Sequence, residues 1–267
     1  ELVFAMNLLL TQNVIYWLET KDGYMQVIVM PHFIQDFMEK HVWTQHIPYI
    51  FSSATLSNNG NFTYFKKSLG MKEALQFSVA SPYDYEEKMR IIFHISDEAS
   101  RVRKVQEYLE KTKGRTLLLF PTTEQLKHFK QSFKKSEYEF EILFEGDQEI
   151  SSLVSYFQNH ESSVLCAEHL WEGLDVPGSS LSQVIIWDLP FPPHDPVFDS
   201  FRRAADDAFL EVDLPYMLLR IRQGIGRLIR TADDQGDVVI FFDKDSYTNY
   251  AKYIKDVLPR KVETIQS

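Results

Sequence analysis

The sequence has few of the residues that mark secreted, membrane-spanning or disordered chains. Cys166 is the only cysteine among 267 residues, which excludes an intrachain disulfide and an iron–sulfur cluster held by four thiolates. With 10 glycines and 11 prolines, long disordered linkers are not expected. No apolar run reaches the roughly 20 residues that span a bilayer, and the apolar stretch 2–10 lacks the basic flank of a signal peptide. These absences predict a globular protein of the cytoplasm.

Positive charge is also scarce, because 28 lysines and arginines face 38 acidic residues and the net charge is −10. This balance argues against bulk coating of nucleic acid, although a local basic track is compatible with it. The exception is residues 220–230, RIRQGIGRLIR, with four arginines and no acidic residue. The length suits one large domain or two small ones. Since the first residue is Glu1 rather than Met, we expect a piece of a longer protein.

From residue 90 onward, short apolar segments alternate with amphipathic ones. The predicted strands are 90–95, 116–120, 140–144, 163–167, 183–187 and 237–242. Wholly apolar strands between helices predict an α/β fold with a mostly parallel sheet, covered by helices on both faces. The first 85 residues are less regular. There we predict strands at 26–30 and 47–51, with a helix between them.

Polar residues follow several of these strands, and ligands of parallel sheets bind at the carboxyl ends of strands. In PTTEQL, Thr122 and Gln125 have the spacing of a capping box. We therefore predict that Thr122 caps a helix, whose N-terminus could also receive a phosphate. The segment SDEAS (96–100) resembles an ATPase box, but Ser96 or Asp97 is expected simply to cap the next helix.

In WEGLDVPG (171–178), two carboxylates lie beside two glycines, and both a site and a plain turn are open interpretations. Glu172 and Asp175 could accept hydrogen bonds from a ribose hydroxyl or from water around Mg²⁺. Gly173 and Gly178 would let the backbone approach a ligand closely. The alternative is a turn with two solvated acids.

The basic segment is predicted to lie on a helix that begins near Asp213. At about 100° per residue, Gln223, Arg227 and Arg230 share one stripe of that helix. The opposite side carries apolar residues: Leu218, Ile221, Ile225 and Leu228. Gly226 inside a helix would cost roughly 1 kcal/mol relative to alanine, which a closely approaching partner could offset.

Two interpretations of the arginine stripe are open. Aligned arginines without neighbouring carboxylates suit phosphate. Alternatively, the stripe pairs with acidic residues of the same chain, for which the candidates are Asp206, Asp207 and Glu211.

Taken in order, five segments resemble motifs III to VI of superfamily 2 helicases, in particular the DinG branch of the XPD-like group. They are SATL (53–56), LLLFPTTEQL (117–126), WEGLDVPG (171–178), LPFPPHDP (189–196) and QGIGRLIR (223–230). The resemblance implies a RecA-like motor domain 2 at residues 58–267, preceded by a lead-in segment 1–57 that ends in the motif III-like SATL. No GxxxxGK[ST] loop occurs in the chain and no D-E-x-H box precedes SATL. The chain alone is therefore expected not to hydrolyse ATP.

The resemblance also implies residue roles. Arg227 and Arg230 would contact the nucleotide phosphates, one of them as an arginine finger, and Gln223 would help to hold the nucleotide or its water. Glu172, Gly173 and Asp175 would link the nucleotide to DNA. Ser53 and Thr55 would couple hydrolysis to movement, and Thr122 and Thr123 would contact DNA phosphates. Asp243-Lys244 departs from the Asp-x-Arg of relatives, which weakens that position.

The family implies a DNA helicase that uses ATP and Mg²⁺ to move 5′→3′ on single-stranded DNA in repair or replication. An N-terminal motor domain would hold most of the nucleotide. Without cluster cysteines, the chain resembles the branch found in Firmicutes, whose members often carry a DnaQ-like 3′→5′ exonuclease; no membrane is expected among the partners. Two alternatives stay open. One is a helicase-derived module that positions single-stranded DNA for the exonuclease without unwinding. The other is an unrelated α/β nucleotide-dependent transferase.

Overall fold

The computed structural model describes residues 7, 14–21, 23–45, 47–53, 55–57, 60–133, 138–174, 178, 180–259 and 261–266. The chain forms two compact units. One comprises Glu1–Ala80 with Pro192–Pro215, and the other Ser81–Phe191 with Tyr216–Ser267. The division expected from the motifs, a lead-in segment 1–57 and a motor domain 58–267, stays a prediction.

The helices and strands are numbered in chain order. The strands are β1 (Val14–Lys21), β2 (Tyr24–Pro31), β3 (Met89–Ile95), β4 (Thr116–Leu119), β5 (Glu141–Phe144), β6 (Ser163–Ala167), β7 (Gln183–Ile186), β8 (Gly236–Phe242) and β9 (Val262–Gln266). The helices are α1 (Ile34–His41), α2 (Thr63–Ser68), α3 (Tyr85–Lys88), α4 (Glu98–Thr112), α5 (Thr123–Ser132), α6 (Ile150–Asn159), α7 (Pro196–Ala204), α8 (Leu214–Ile225) and α9 (Lys244–Lys255). A π-helical turn at Phe209–Asp213 precedes α8.

The smaller unit contains the antiparallel hairpin β1–β2. The strand predicted at 26–30 is confirmed as part of β2, and the helix predicted after it is confirmed as α1. The prediction of a strand at 47–51 is wrong, because these residues do not form a strand and Ile50 is 92% exposed. A strand forms only where a neighbour satisfies its backbone groups, and none of the described strands pairs with this segment.

The larger unit is built on a seven-stranded sheet with the order β5-β6-β4-β7-β8-β3-β9. Every pairing in it is parallel. Each residue of β4, β6 and β7 is buried, and successive side chains point to opposite faces, so both faces of these strands are covered. The predicted α/β fold with a parallel sheet is confirmed, and the six predicted strands match β3 to β8 within one residue at each end.

The strand β9 is a seventh member that the apolar pattern does not predict. Its sequence, VETIQ, is mostly polar and its residues are largely exposed. It lies at the edge of the sheet and pairs only with β3 among the described strands. An edge strand buries little surface, so its sequence does not need the wholly apolar run that identifies the central strands.

The main core of the larger unit joins the sheet to two helices. Val105 and Leu109 of α4 and Leu126 and Phe129 of α5 are all buried. They belong to one cluster with inward-facing strand residues such as Leu118. Burial of this apolar surface, at roughly 25 cal/mol per Å², holds α4 and α5 on the sheet and so sets the positions of the loops that follow β3 and β4.

The packing of the sheet can be tested by a substitution at the start of β8, where two backbone segments lie close together. A Cβ at Gly236 would lie 2.0 Å from the carbonyl oxygen of Ser182, which is rigid because it accepts a hydrogen bond from Asp237 N at 3.1 Å. We expect Gly236→Ala to lower the free energy of unfolding by about 3 kcal/mol. Urea denaturation of the purified chain measures it. Gly226→Ala is the matched control, since a Cβ there would meet its nearest atom at 3.2 Å; equal effects of the two substitutions would contradict the packing.

Candidate functional site

The loops of interest lie along one edge of the parallel sheet. Since the strands share one direction, the residues that follow β4, β6, β7 and β8 all emerge at the carboxyl edge. These residues include Thr122, Glu168, Asp188 and Asp243. This placement agrees with the sequence analysis, which expected polar loops to gather there.

Helix N-termini supply part of this edge. Thr122 caps α5, as predicted, by accepting a hydrogen bond from Gln125 N at 3.3 Å. The hydroxyl of Thr123 donates to the carboxylate of Glu168, which follows β6. Asp97 caps α4 by accepting from Ser100 N at 2.7 Å, which confirms the plain reading of SDEAS as a helix start.

Side-chain hydrogen bonds join the segments 171–174 and 223–230. Gln223 Nε2 donates to Glu172 Oε2 at 2.9 Å. Arg227 Nη1 and Arg230 Nη2 both donate to the backbone carbonyl of Leu174, at 2.6 Å and 3.3 Å. Two guanidinium groups that meet at one oxygen form a donor set suited to a phosphate, whose oxygens accept several N–H bonds at once.

The helix predicted to run from near Asp213 to Arg230 is shorter than expected. Helix α8 ends at Ile225, and the chain then turns, with Arg227 N bonding to Gly224 O and Leu228 N to Ile225 O, both at 3.1 Å. Gly226 therefore lies in the turn after the helix, and the predicted cost of a glycine within a helix does not apply. Arg227 and Arg230 converge because the chain turns back, not because they share a helical stripe.

The predicted burial of the apolar side is confirmed for most of its members. Ile221, Ile225 and Leu228 are buried, whereas Leu218 is half-buried.

Glu211, one of the acidic partners considered for the arginines, forms an ion pair with Lys67 at 3.0 Å.

A buried tryptophan brings the two segments together. The ring of Trp171 is fully buried, and its Nε1 donates to Phe120 O at 3.3 Å. A Cβ on Gly224 would lie 3.1 Å from this ring and 3.0 Å from Leu119 Cδ1, so glycine allows α8 its close approach. The guanidinium of Arg220 lies 5.2 Å from the centre of the same ring, at a distance typical of cation–π contacts. One of the four arginines of the segment is thus used in packing.

Asp234 is a central residue of this region that the sequence analysis missed. Its Oδ2 accepts from the backbone N of Arg230 at 2.8 Å and of Thr231 at 2.7 Å, and its Oδ1 accepts from Gly178 N at 3.1 Å and from the Thr231 hydroxyl at 2.8 Å. Burial alone would raise the pKa of Asp234, but these hydrogen bonds outweigh it and lower the pKa below its ordinary value. The carboxylate therefore ties Gly178, the last residue of WEGLDVPG (171–178), to Arg230, the last residue of segment 223–230.

A separate buried polar group lies at the carboxyl edge of the sheet. Arg101 of α4 is 3% exposed, and its Nη1 donates to Trp187 O at 2.9 Å and lies 3.7 Å from Asp188 Oδ2. Asp188 also accepts from Gln125 Nε2 at 3.1 Å. Burial raises the pKa of Asp188, while Arg101 acts in the opposite direction. The spacing of Arg101 with Val105 and Leu109 on one helix face was the signal available in the sequence.

The remaining predicted site residues have separate outcomes. Asp175 lies outside the described residues. Gly173 adopts a positive φ of 77°, as a turn at this position requires. Ser53 and Thr55 belong to the smaller unit, where their hydroxyl oxygens lie 3.2 Å apart and Thr55 N donates to Ser53 Oγ at 3.2 Å. None of the helices among the described residues combines the length and the apolar character of a membrane span. The same residues contain no group of three or more His, Cys, Asp or Glu that could hold a metal ion.

A family model described as the helicase C-terminal domain matches residues 105–261. The chain belongs to the helicase C-terminal domain family. It is 48% identical to the probable ATP-dependent helicase YpvA of Bacillus subtilis over 263 residues, which cover 97% of this chain and 41% of that protein. It is 30% identical to the ATP-dependent DNA helicase YoaA of Escherichia coli over 84% of this chain and 37% of YoaA.

A further relative of this helicase domain is the 3′-5′ exonuclease DinG of Bacillus subtilis, at 29% identity over 79% of this chain and 25% of that protein. The chain spans less than half the length of the curated relatives it matches. The resemblance to DinG-type helicases is confirmed at the level of this domain.

Solved structures support the RecA-like fold of the helicase domain. A structure of apo XPD aligns with a TM-score of 0.68 at 16% identity and covers 99% of this chain and 57% of that one. Saccharomyces cerevisiae Dbp5 bound to RNA and ADP BeF3 aligns with a TM-score of 0.52 at 21% identity, over 76% of this chain and 48% of Dbp5. At these identities the likeness shows the fold alone.

The role of Asp234 can be tested by its pH dependence. We expect Asp234→Ala to destabilise the domain by about 2–3 kcal/mol at pH 7, because several backbone donors lose a charged acceptor. Since the folded-state pKa is lowered, the carboxylate stabilises the fold above its unfolded pKa of about 3.9, and this stabilisation is lost as the pH falls through the folded value.

The measurement is urea unfolding of the two proteins between about pH 7 and pH 3. The stability difference between them should shrink on acidification. Asp233→Ala, at the exposed neighbour, is the control and should behave as the unaltered chain. A difference for Asp234→Ala that does not change with pH would contradict the proposed contribution of the charge.

Proposed function

We propose that this chain is the second motor domain of a DinG-type, ATP-dependent DNA helicase, and that it acts with an N-terminal motor domain of the same full-length protein. The observation that carries the proposal is the joint between segments 171–174 and 223–230, where Arg227 and Arg230 meet at the Leu174 carbonyl. Support comes from the relatives, whose names describe ATP-dependent helicases.

On the nucleotide side, Arg227 and Arg230 contact the phosphates and one of them acts as the arginine finger. The phosphates of ATP, held with Mg²⁺ mainly by the N-terminal motor domain, carry full negative charge and bind guanidinium groups more strongly than a neutral carbonyl does. The nucleotide would therefore replace Leu174 O as the acceptor. Gln223 holds the nucleotide or its water, which fits its present hydrogen bond to a carboxylate.

The same joint is proposed to link nucleotide and DNA. Glu172 and Gly173 lie in the segment whose Leu174 carbonyl receives the arginines, so a change at the phosphates would reach this segment directly. The same link is proposed for Asp175, which follows Leu174 in the sequence. The other assigned roles are contact with DNA phosphates by Thr122 and Thr123 at the start of α5, and coupling of hydrolysis to movement by Ser53 and Thr55.

The finger can be tested in the full-length protein. We expect Arg227→Ala to lower kcat for DNA-stimulated ATP hydrolysis by about 10³-fold or more, as loss of a finger does in other phosphoryl-transfer enzymes, and Arg227→Lys to restore little because the planar fork is lost. Steady-state ATPase assays measure both. Arg103→Ala, at an exposed arginine of α4, is the control, and an equal effect of this substitution would refute the assignment.

The chain by itself is expected to show no ATP hydrolysis above background. It contains no GxxxxGK[ST] loop, so it lacks the lysine and the Mg²⁺-binding hydroxyl that such a loop contributes. Phosphate release from the purified chain, with and without single-stranded DNA, measures this. Robust turnover that disappears in Arg227→Ala would overturn the proposal of a divided site.

A second candidate function is a helicase-derived module that positions single-stranded DNA for an attached 3′→5′ exonuclease without unwinding it. The observation that favours it is the name of one relative, the 3′-5′ exonuclease DinG of Bacillus subtilis. The two candidates differ in the full-length protein. DNA-dependent ATP hydrolysis that needs Arg227 supports the motor, whereas nuclease activity without any ATP hydrolysis supports the module.

A further inference from the structure

A glutamate–histidine pair occupies the carboxyl edge beside the start of α5. Glu145, which follows β5, accepts hydrogen bonds through Oε2 from the backbone N of Glu168 at 2.6 Å and of His169 at 3.0 Å. Its Oε1 lies 2.9 Å from His169 Nδ1. The glutamate side chain is 17% exposed, whereas the histidine side chain is 72% exposed. The carboxylate thus fixes both the backbone and the ring of His169 while the ring faces solvent.

This arrangement determines what the ring can do. A hydrogen bond from Nδ1 to a carboxylate places the proton of the neutral ring on Nδ1, which leaves Nε2 as an acceptor only. Nε2 gains an N–H, and with it the ability to donate to an anion, only when the imidazole is protonated. The pair is therefore built to present a cationic donor to solvent in one protonation state and none in the other.

The Nε2–H of protonated His169 matters for anion binding because the groups around the ring are negatively charged. Two carboxylates face His169: Glu145, and Glu168, whose Oε2 lies 4.0 Å from Nδ1. Thr123, on the neighbouring helix, donates its only hydroxyl proton to Glu168. The contact with a DNA phosphate that is proposed above for this hydroxyl therefore requires it to turn away from Glu168. A phosphate that approaches this edge meets the negative charge of the two carboxylates, and a protonated His169 would offset part of that charge.

We propose that His169 contacts the backbone of single-stranded DNA through Nε2 in its protonated form, and that Glu145 is the residue that positions it. This inference rests on the proposed DNA-binding function of the domain and deepens it. One support is the hydrogen bond between Thr123, at the start of α5, and Glu168, the neighbour of His169, because a helix N-terminus favours anions. The other is the hydrogen bond of Nδ1 to Glu145, which leaves Nε2 as the ring nitrogen that can meet a ligand. One protonated histidine then contributes one ionic contact with DNA.

The test uses the full-length protein and a fluorescently labelled oligothymidylate. Binding is measured by anisotropy over a series of salt concentrations at about pH 6 and about pH 8, between which histidine side chains ordinarily titrate. One ionic contact with a single strand changes the slope of log affinity against log salt by about 0.7. We expect the slope to be steeper by about 0.7 at pH 6 than at pH 8, and this difference to vanish in His169→Gln.

Two further variants separate the contact from a structural effect. Glu145→Gln should reduce the difference between the two slopes, because the amide no longer fixes the ring as a charged acceptor does. His160→Gln is the matched control, since His160 is also exposed with its Nδ1 bound to an oxygen, Tyr156 O at 2.8 Å, but precedes β6 and so lies at the opposite edge of the sheet. It should keep the behaviour of the unaltered protein.

The possible outcomes separate the role of His169 from the DNA-binding function of the domain. Binding with the same pH and salt dependence in His169→Gln as in the unaltered protein would overturn the role of His169 and leave the proposed function intact. Absence of any DNA binding by the unaltered protein at both pH values would overturn the proposed function and this inference together. Because His169 is exposed, its replacement is expected to leave the fold unchanged, which circular dichroism checks.

Discussion

The parallel direction of the seven paired strands is the constraint on which the rest of the larger unit depends. Since β3 to β9 all point the same way, residues far apart in the chain emerge at one edge. Parallel strands are stable only when both faces are covered, and α4 and α5 help to provide this cover through the buried residues Val105, Leu109, Leu126 and Phe129. The same packing that stabilises the sheet therefore brings Thr123, Glu145 and His169 together.

The second level of organisation is the joint between segments 171–174 and 223–230. It combines a packing contact with polar ones: Gly224 lets α8 approach Trp171, and the Leu174 carbonyl receives Arg227 and Arg230. The carboxylate of Asp234 adds to this joint by accepting hydrogen bonds from the backbone N of Arg230 and of Gly178. Because these contacts share residues, a displacement of Arg227 and Arg230 by a stronger acceptor would also change the contacts of Leu174 and Asp234.

Much of the larger unit could be predicted, and the reasons are physical. The central strands bury both faces, so runs such as TLLL and SVLCA are wholly apolar and stand out in the sequence. The edge strand β9 buries little and gives no such signal, and segment 47–51 shows that an apolar run is not a strand when no described neighbour pairs with it. The predicted helix, which ran to Arg230, was too long. The apolar residues keep their helical spacing in the sequence beyond Ile225, but the backbone forms a turn there.

The sequence by itself determined the class of fold, the order of the motifs and the membership of the chain in a helicase family, because these depend on local composition and on the order of short segments. Only the tertiary structure decided which groups meet. Leu174 O accepts from Arg227, and the carboxylates of Asp234 and Glu145 accept from Gly178 N and Glu168 N, all of them distant in the chain. Contacts of this kind leave no mark on local residue patterns, since their geometry exists only when the sheet has brought the loops together.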